Sequence, residues 1–344
     1  MRLHAIGFGA LNLDEFWEVP AEFLSAHGLR LGEEYVRDEA WFHCVYPSLA
    51  KEAEMKALDP GGSAANAMAA LRRMGFHTGF YGATGGDGVS SLRLGELGSE
   101  DDLRIRITPH PAGRCLALID RDDHSKDRSL VILPNANDLA GSGTPDITYF
   151  EQARWVHMTS FVSPDCLRAQ TEVARQLART TRLSFDPGAV YCRLGLDRLS
   201  PILRRTDVLF VTEDELEVLT HEKAQDPAAG ILFEIGVSIV VIKMGDRGIM
   251  AVNGHGSIRQ PAVKPALVKD RTGAGDVAAA GFLAGMILSM DLKECLHLAA
   301  LCASRSIEGY GRSTYPDRAF VETFLKDREI HPSRRAPLSL RHDH

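Results

Sequence analysis

The apolar positions of this chain fall into short runs parted by glycine-rich turns. "RLHAIGFGALNLD" begins with such a run and turns at Gly7 and Gly9, which predicts a first strand. Residues 18–58 are mixed, with Pro20, Gly28, Gly32, Trp41 and Tyr46 scattered through them. They read as an insertion that supplies part of a small second layer or lid. Regularity returns at "GGSAANAMAALRRMG", helical from Ala64 to Met74 and stopped by Gly75, a residue suited to a helix C-terminus. "HTGFYGATG" predicts the next strand, and the short runs "RCLALID" and "RSLVILP" predict a hairpin.

After residue 150 the pattern alternates. "ARWVHMTSF" precedes the helical "CLRAQTEVARQLART" and then "RLSFDPG"; "TDVLFVT" precedes "EDELEVLTH" and then "VSIVVIKMG". Two helical stretches close the series, "VAAAGFLAGMILSM" and "LKECLHLAALCASRSIE". Such alternation predicts an α/β fold, a central mostly parallel sheet with helices on both faces. Ligands of such sheets bind at the carboxyl ends of the strands.

Composition narrows the class. The 344 residues are enough for a sizeable core, and 44% hydrophobic with 25% charged residues is ordinary for a globular protein. A formal net charge of −7 disfavours nonspecific binding to nucleic acid or an anionic membrane. The six cysteines form no CxxC pair, so a metal cluster or disulfide framework is not expected and a reducing compartment is. "MRLHAIGFGALNLDEFW" is too polar after Ile6 for a signal peptide, and no apolar run reaches the roughly 18 residues of a membrane helix. The expectation is a cytoplasmic protein. One unit is expected over residues 1–330, with lid segments at about 13–58 and 110–135. The tail "HPSRRAPLSLRHDH" reads as a flexible end at 331–344.

Three glycine-rich stretches invite a phosphate reading. "GFGALN" nearly spells the dinucleotide fingerprint, but Asn12 stands in place of the third glycine and no convincing helix follows. "GATGGDG", Gly82 to Gly88, lacks a following Lys-Ser/Thr and reads as a plain loop. "VKDRTGAGDVAAAGFLAGMI" is different. Ala278, Ala279, Ala280, Gly281, Ala284 and Gly285 let its helix pack closely on a neighbour. Gly273, Ala274 and Gly275 bare backbone N–H groups at the helix N-terminus, where the dipole favours an anion. Asp276 would repel that anion as a mere cap. As a base it would take a proton from a hydroxyl attacking a phosphate. A second motif, "DPGGSAANAMAALRRMG", opens a helix at Gly61-Gly62 and sets Asn66, donor and acceptor both, one turn inside.

Together, in this order, the two motifs resemble the paired signatures of the ribokinase-like (PfkB) family of carbohydrate and nucleoside kinases, over roughly residues 3–325. The resemblance implies a three-layer ribokinase-like fold with a small β-rich lid, and an enzyme that moves the γ-phosphoryl group of ATP, with Mg²⁺, to an alcohol. It implies Asp276 as catalytic base; Gly273, Ala274 and Gly275 as anion hole; and Asn12, Asp14, Gly61, Gly62 and Asn66 as substrate contacts. "KMGDRG" implies nucleotide contacts at Lys243, Gly245 and Gly248, and His297 has the family's spacing, twelve positions before Gly309, for a residue beside the base. The resemblance also implies nucleotide-side contacts at Thr212 and Glu215: Glu215 matches the acid of the family's Asn-x-x-Glu motif, an indirect support for Mg²⁺, whereas Thr212 replaces its Asn, which changes the phosphate and magnesium contacts expected there. Arg271 stands where many members carry Thr; it reaches the phosphates or alters the monovalent-cation loop. "EGYGRS" keeps a glycine and a serine of that loop, and potassium dependence stays open. Members often dimerise through the lid.

For the acceptor, the 50 positions from Asn12 to Gly62, "FLSAHGLRLGEEYV", "GRCLALID" and "NANDL" resemble the adenosine-kinase-like branch, whereas "GALNLDEFW" resembles a sugar kinase. A nucleobase would need an aromatic to stack on. Trp17, Phe42, Tyr46 and Phe161 are candidates, although aromatics in a lid are more often core. The reading is a sugar kinase in the broad sense, with a nucleoside kinase or a non-catalytic ligand sensor as alternatives.

Overall fold

The computed structural model describes residues 2–88, 91–122 and 128–330. The expected flexible tail lies outside them, as does the tip of the predicted hairpin. In chain order, β1 (Leu3–Phe8) leads into β2 (Asn12–Val19), α1 (Ala21–Ala26), β3 (Glu34–Val36), α2 (Glu39–Glu52) and β4 (Glu54–Gly61). Next come α3 (Ser63–Arg73), β5 (Thr78–Gly85), β6 (Leu103–Thr108), β7 (Gly113–Asp120) and β8 (Arg128–Leu133). The alternating half holds α4 (Ile147–Glu151), β9 (Ala153–Thr159), α5 (Pro164–Gln176), β10 (Arg182–Asp186), α6 (Gly188–Cys192), α7 (Gly195–Leu203), β11 (Val208–Thr212), α8 (Glu213–Thr220), α9 (Gln225–Ile235) and β12 (Ile239–Lys243). The hairpin of β13 (Ile249–Asn253) and β14 (Gly256–Gln260) follows, then α10 (Ala274–Ile287), α11 (Leu292–Ser306) and α12 (Arg318–Ile330).

Nine strands form the main sheet in the order β14-β13-β12-β11-β10-β9-β1-β5-β6. Every neighbour from β12 to β6 is parallel, and β13 and β14 close one edge antiparallel. The inner strands β1, β5 and β9 to β12 are buried on both faces, which is why they read as largely apolar runs, whereas the edge strands β6 and β14 are largely exposed. Alternate residues serve opposite cores. Phe210 of β11 packs with α3, α10 and α11, while Leu209 and Val211 pack with α5, α7 and α9. The chain order reverses at β1, which has β9 on one side and β5 on the other. A parallel sheet opens its ligand crevice at such a point.

Helix α10 is buried from Val277 to Ile287, so it needs no polar face. Its small residues let α11 approach: a Cβ on Gly281 would lie 2.9 Å from the Ala299 Cα, and one on Gly285 2.7 Å from the Cys295 sulfur.

The lid is a second sheet, β3-β8-β7-β2-β4, with β7 and β8 paired antiparallel as predicted. It carries more helix than the mixed pattern of residues 18–58 suggested. Trp17, Leu116, Leu118, Val131 and Leu133 on one face pack against Phe23, Phe42, Val45 and Leu49 of α1 and α2. The other face, bearing Asn12, Leu130 and Ile132, looks onto the crevice. "GATGGDG" is also only partly a loop, since β5 runs through Gly85.

Candidate active site

The crevice is built at the carboxyl ends of the parallel strands. The end of β9 leads to Ser160 and Phe161, β10 ends at Asp186, α8 behind β11 supplies Glu215, and β12 ends at Lys243. Lys243 Nζ lies 2.6 Å from Asp186 Oδ2, with both side chains largely buried. Burial pulls the ammonium down, but Asp186 and Glu215 outweigh it and hold Lys243 above its ordinary value. Burial raises the Glu215 carboxyl, against Lys243.

Opposite stands the start of α10. Gly273 takes φ +74°, a left-handed turn that an L side chain rarely adopts. Helix geometry leaves the Gly275 and Asp276 amides without intrahelical acceptors, whereas the Ala274 amide already reaches the Arg271 carbonyl at 3.3 Å. Asp276 Oδ2 accepts a hydrogen bond of 2.9 Å from Asn66 Nδ2. The Asn66 amide is itself oriented, since its Oδ1 accepts from Arg312 Nε at 3.1 Å. Arg312, only 4% exposed, also reaches Glu96 at 3.2 Å. Burial pushes the Asp276 carboxyl up to about 6, helped by Asp186 and opposed by Asn66, Lys243 and Ser63. A carboxylate poised there accepts a proton near neutrality without being too weak a base.

Two cavities meet at this turn. A cleft of about 350 Å³ beneath the lid is lined by Asn12, Gly62, Ser63, Asn137, Lys243 and Asp276 among others. A groove of about 480 Å³ on the other side is lined by Lys243, Gly245, Gly248, Arg271, Ala274 and Gly275. Lys243 belongs to both, and the α10 turn separates them. The arrangement can hold an alcohol on one side, a polyanion on the other, and a base between them.

The remaining sequence-predicted residues fall as follows. Asn12 Oδ1 accepts from Asn137 Nδ2 at 2.8 Å. Gly62, at φ +95°, leaves no room for a Cβ, which would stand 2.1 Å from the Ala10 carbonyl oxygen. Gly61 packs against the Asp14 carboxyl, which a Cβ there would meet at 2.0 Å. Asp14 is not among the residues lining the cleft; its Oδ1 is buried and unpartnered, and burial pushes its carboxyl up to about 8, against Arg312. Thr212 does not line the cleft. Its hydroxyl caps α8 by accepting from the Glu215 amide, while Glu215 Oε2 accepts from the Thr212 amide at 2.7 Å. His297 does not line the groove to which the family spacing assigned it. Its ring meets Phe324 of α12 edge-on at 5.6 Å, and α11 lines the groove with Ala300, Ala303 and Ser304 instead. Of the four aromatics, Phe161 alone lines the cleft among the described residues; Trp17 and Phe42 are lid core, and Tyr46 packs on both.

Sequence reasoning missed Asp186, Asn137 and Arg312. Asp186 had a signal, an acid followed by Pro-Gly at the end of a buried run. Asn137 sat in "NANDL", read only as a branch likeness. Arg312 had none, because its partners Asn66 and Glu96 are more than 200 positions away. Asp270 Oδ2 and Thr272 Oγ1, just before the α10 turn, are buried without hydrogen-bond partners.

The profile of the pfkB family of carbohydrate kinases matches residues 34–318. The chain is 30% identical over 246 residues to an uncharacterized sugar kinase of Archaeoglobus fulgidus, covering 70% of this chain and 95% of that protein. It is 30% identical over 272 residues to the ATP-dependent ribose-1-phosphate kinase of Halopiger xanaduensis, covering 78% and 87%. The fold superimposes on the adenosine kinase of Sinorhizobium meliloti with a TM-score of 0.79 at 20% identity, covering 94% of this chain and 100% of that one.

Proposed function

The chain belongs to the pfkB family of carbohydrate kinases, and from that premise we propose how its residues carry out ATP-dependent phosphoryl transfer to an alcohol of a sugar-like substrate. The acceptor lies in the cleft under the lid and the nucleotide in the groove lined by Gly245, Gly248 and Arg271. The observation that carries the reading is the turn at residues 273–276, with Asp276 facing the cleft and Ala274 and Gly275 facing the groove. Asp276 takes the hydroxyl proton as the acceptor oxygen bonds to the γ-phosphorus and the bond to the leaving ADP oxygen breaks. The Gly275 and Asp276 amides and Lys243 stabilise the charge on the transferring group. Asn66 holds the carboxylate in place.

The groove suits ATP: its walls include Ile249, Val263, Ala278 and Ile307, and Lys264 and Arg271 add positive charge. Among the described residues no cluster of three metal-ligating side chains occurs. This fits Mg²⁺ arriving on the phosphates and needing one or two carboxylates, for which Asp186 and Glu215 are placed. When bound, Mg²⁺ would neutralise phosphate charge. The orphaned oxygens of Asp270 and Thr272 are donors of the kind a potassium ion takes, which supports a cation site beneath the anion hole.

A nucleoside acceptor is the second reading, favoured by the helices that back the lid sheet and by apolar lining in the cleft. A homodimer through the lid would have to use its strand edges, where Val36, Met55 and Leu58 are exposed, because α1 and α2 cover the outer face. Six free cysteines support a reducing, cytoplasmic setting, and no described helix is long and apolar enough to cross a membrane.

The test is Asp276→Asn. Turnover with the best acceptor of a pentose, hexose and nucleoside panel should fall by about 10²–10⁴-fold, while nucleotide affinity measured by calorimetry stays within a few-fold. Near-normal turnover in that variant removes the base assignment.

A further inference from the structure

The lid touches the core away from the cleft as well. Asp14 on β2 and Asp59 on β4 are cross-strand partners in the lid sheet. Acids set directly opposite one another destabilise a strand pair, so cations must face them. The core supplies Arg93 and Arg312. Arg93, in the turns after β5, reaches Asp59 Oδ1 at 3.3 Å. Arg312, buried between α11 and α12 in the chain, acts on both acids. Burial raises the Asp59 carboxyl, opposed by Arg93 and Arg312. The backbone beside Arg312 meets the lid too. A Cβ on Gly311 would stand 2.5 Å from the Asp59 carboxyl, and the Tyr310 ring lies 6.4 Å from that of Phe16 on β2.

From Asp59 the contacts run on to the base. Arg93 Nη1 lies 3.9 Å from Glu96 Oε1, and Glu96 Oε2 lies 3.2 Å from Arg312 Nη1. Arg312 Nε donates to Asn66 Oδ1 at 3.1 Å, and Asn66 Nδ2 donates to Asp276 Oδ2 at 2.9 Å. A guanidinium only donates and an ionised carboxylate only accepts, so the Asn66 amide has one sense here. Resting on the kinase reading above, we propose that Arg312 is a positioning residue through which the lid sets the base. While β4 is seated, Arg93 and Glu96 hold the guanidinium where it turns the Asn66 amide to Asp276.

Two observations support this. Arg93 takes φ +47°, the left-handed region that few residues other than glycine adopt. Such strain persists where the surroundings over-determine it, and here they are the ion pairs to Asp59 and Glu96. Arg73 of α3 donates to the Arg312 carbonyl at 2.9 Å. The Arg312 backbone thus stays with the core, and the lid contacts steer its side chain. An open lid withdraws Asp59 and frees Arg93, so the base is held for reaction only when the acceptor is covered from water.

The experiment measures kcat and KM, by ADP release with the best acceptor of the panel, for Arg93→Glu, Asn66→Ala and the double variant. Arg93 is half-exposed and lines neither cavity. Reversing its charge repels Asp59 and Glu96 and should lower kcat by roughly tenfold while KM for ATP holds. Arg93→Lys should stay within about twofold of the unaltered chain. In the Asn66→Ala background, Arg93→Glu should cost no more than about twofold, because the two act through one path. An equal loss in both backgrounds, an unchanged kcat, or a loss carried wholly by acceptor KM overturns the proposal and leaves the kinase reading standing. If Arg93→Glu does not fold, Asp59→Asn reads the same coupling: its smaller loss of kcat should vanish in Asn66→Ala, and a loss that persists there overturns the proposal. An unaltered chain that phosphorylates no alcohol in the panel defeats the kinase reading itself.

Discussion

Removing the Asn66 side-chain amide tests whether the hydrogen bond to Asp276 tunes the base. Asn66 Nδ2 donates to Asp276 Oδ2 at 2.9 Å, and the carboxyl sits at about 6 with that bond in place. A hydrogen bond to a charged group is worth about 1.5–3 kcal/mol, which is about one to two pH units. Asn66→Ala should therefore move the Asp276 carboxyl to about 7–8. The base works ionised, so activity is present above its pKa and lost as pH falls through it. The acid limb of kcat/KM should shift from about pH 6 to about pH 7–8. The variant should then be about two- to ninefold more impaired at pH 7 than at pH 9, over any uniform loss from its contact with the acceptor. Initial rates of ADP formation, read directly by chromatography at subsaturating acceptor, measure this without pH-sensitive coupling enzymes. Arg312→Met, which frees the Asn66 amide to turn, should give a smaller shift in the same direction. An acid limb that stays at about pH 6 in Asn66→Ala, or moves lower, would refute the reasoning.

Other consequences follow from the same geometry. Asp276 has a raised carboxyl in the folded chain, about 6 against 3.8, so its charge opposes folding above about pH 6 and the penalty vanishes as pH falls toward 4. Asp276→Asn should thus raise Tm at neutral pH, by an amount that shrinks on acidification, in calorimetric scans. Lys243→Met leaves Asp186 buried and unpaired and should cost on the order of 3 kcal/mol in urea unfolding; adding Asp186→Leu should restore much of it. Gly281→Val drives a side chain into the Ala299 backbone and should cost about 1–3 kcal/mol, with ligand affinities little changed if the fold holds. Replacing potassium by choline should lower turnover if the Asp270 and Thr272 oxygens hold a cation; a rate indifferent to the swap discounts that site.

Much of this protein is legible along the chain. The alternation after residue 150 predicts a parallel sheet because strands buried on both faces must be apolar throughout. Gly273 to Asp276 is legible because a tight turn, bare amides and an acid are local requirements, met by neighbours in sequence. The small residues of α10 likewise state that another helix comes close, though not which one.

What stayed hidden depends on partners distant in sequence. His297 matched a spacing, but which helical residues line a groove is set by packing, and α11 lines it with Ala300, Ala303 and Ser304 while the His297 ring meets Phe324 of α12. Thr212 stands where the family motif carries Asn, and the turn after β11 commits its hydroxyl to capping α8. Asp186 and Lys243 are 57 positions apart, and Asn66 and Arg312 are 246 apart. The sheet and the reactive turn were written in the local pattern of the chain, because hydrophobic period and the demands of a tight turn act over a few residues. How the base is held, by Asn66 and Arg312 from distant segments, emerged from the folded molecule alone, because desolvation and hydrogen bonding depend on groups that the whole fold brings together.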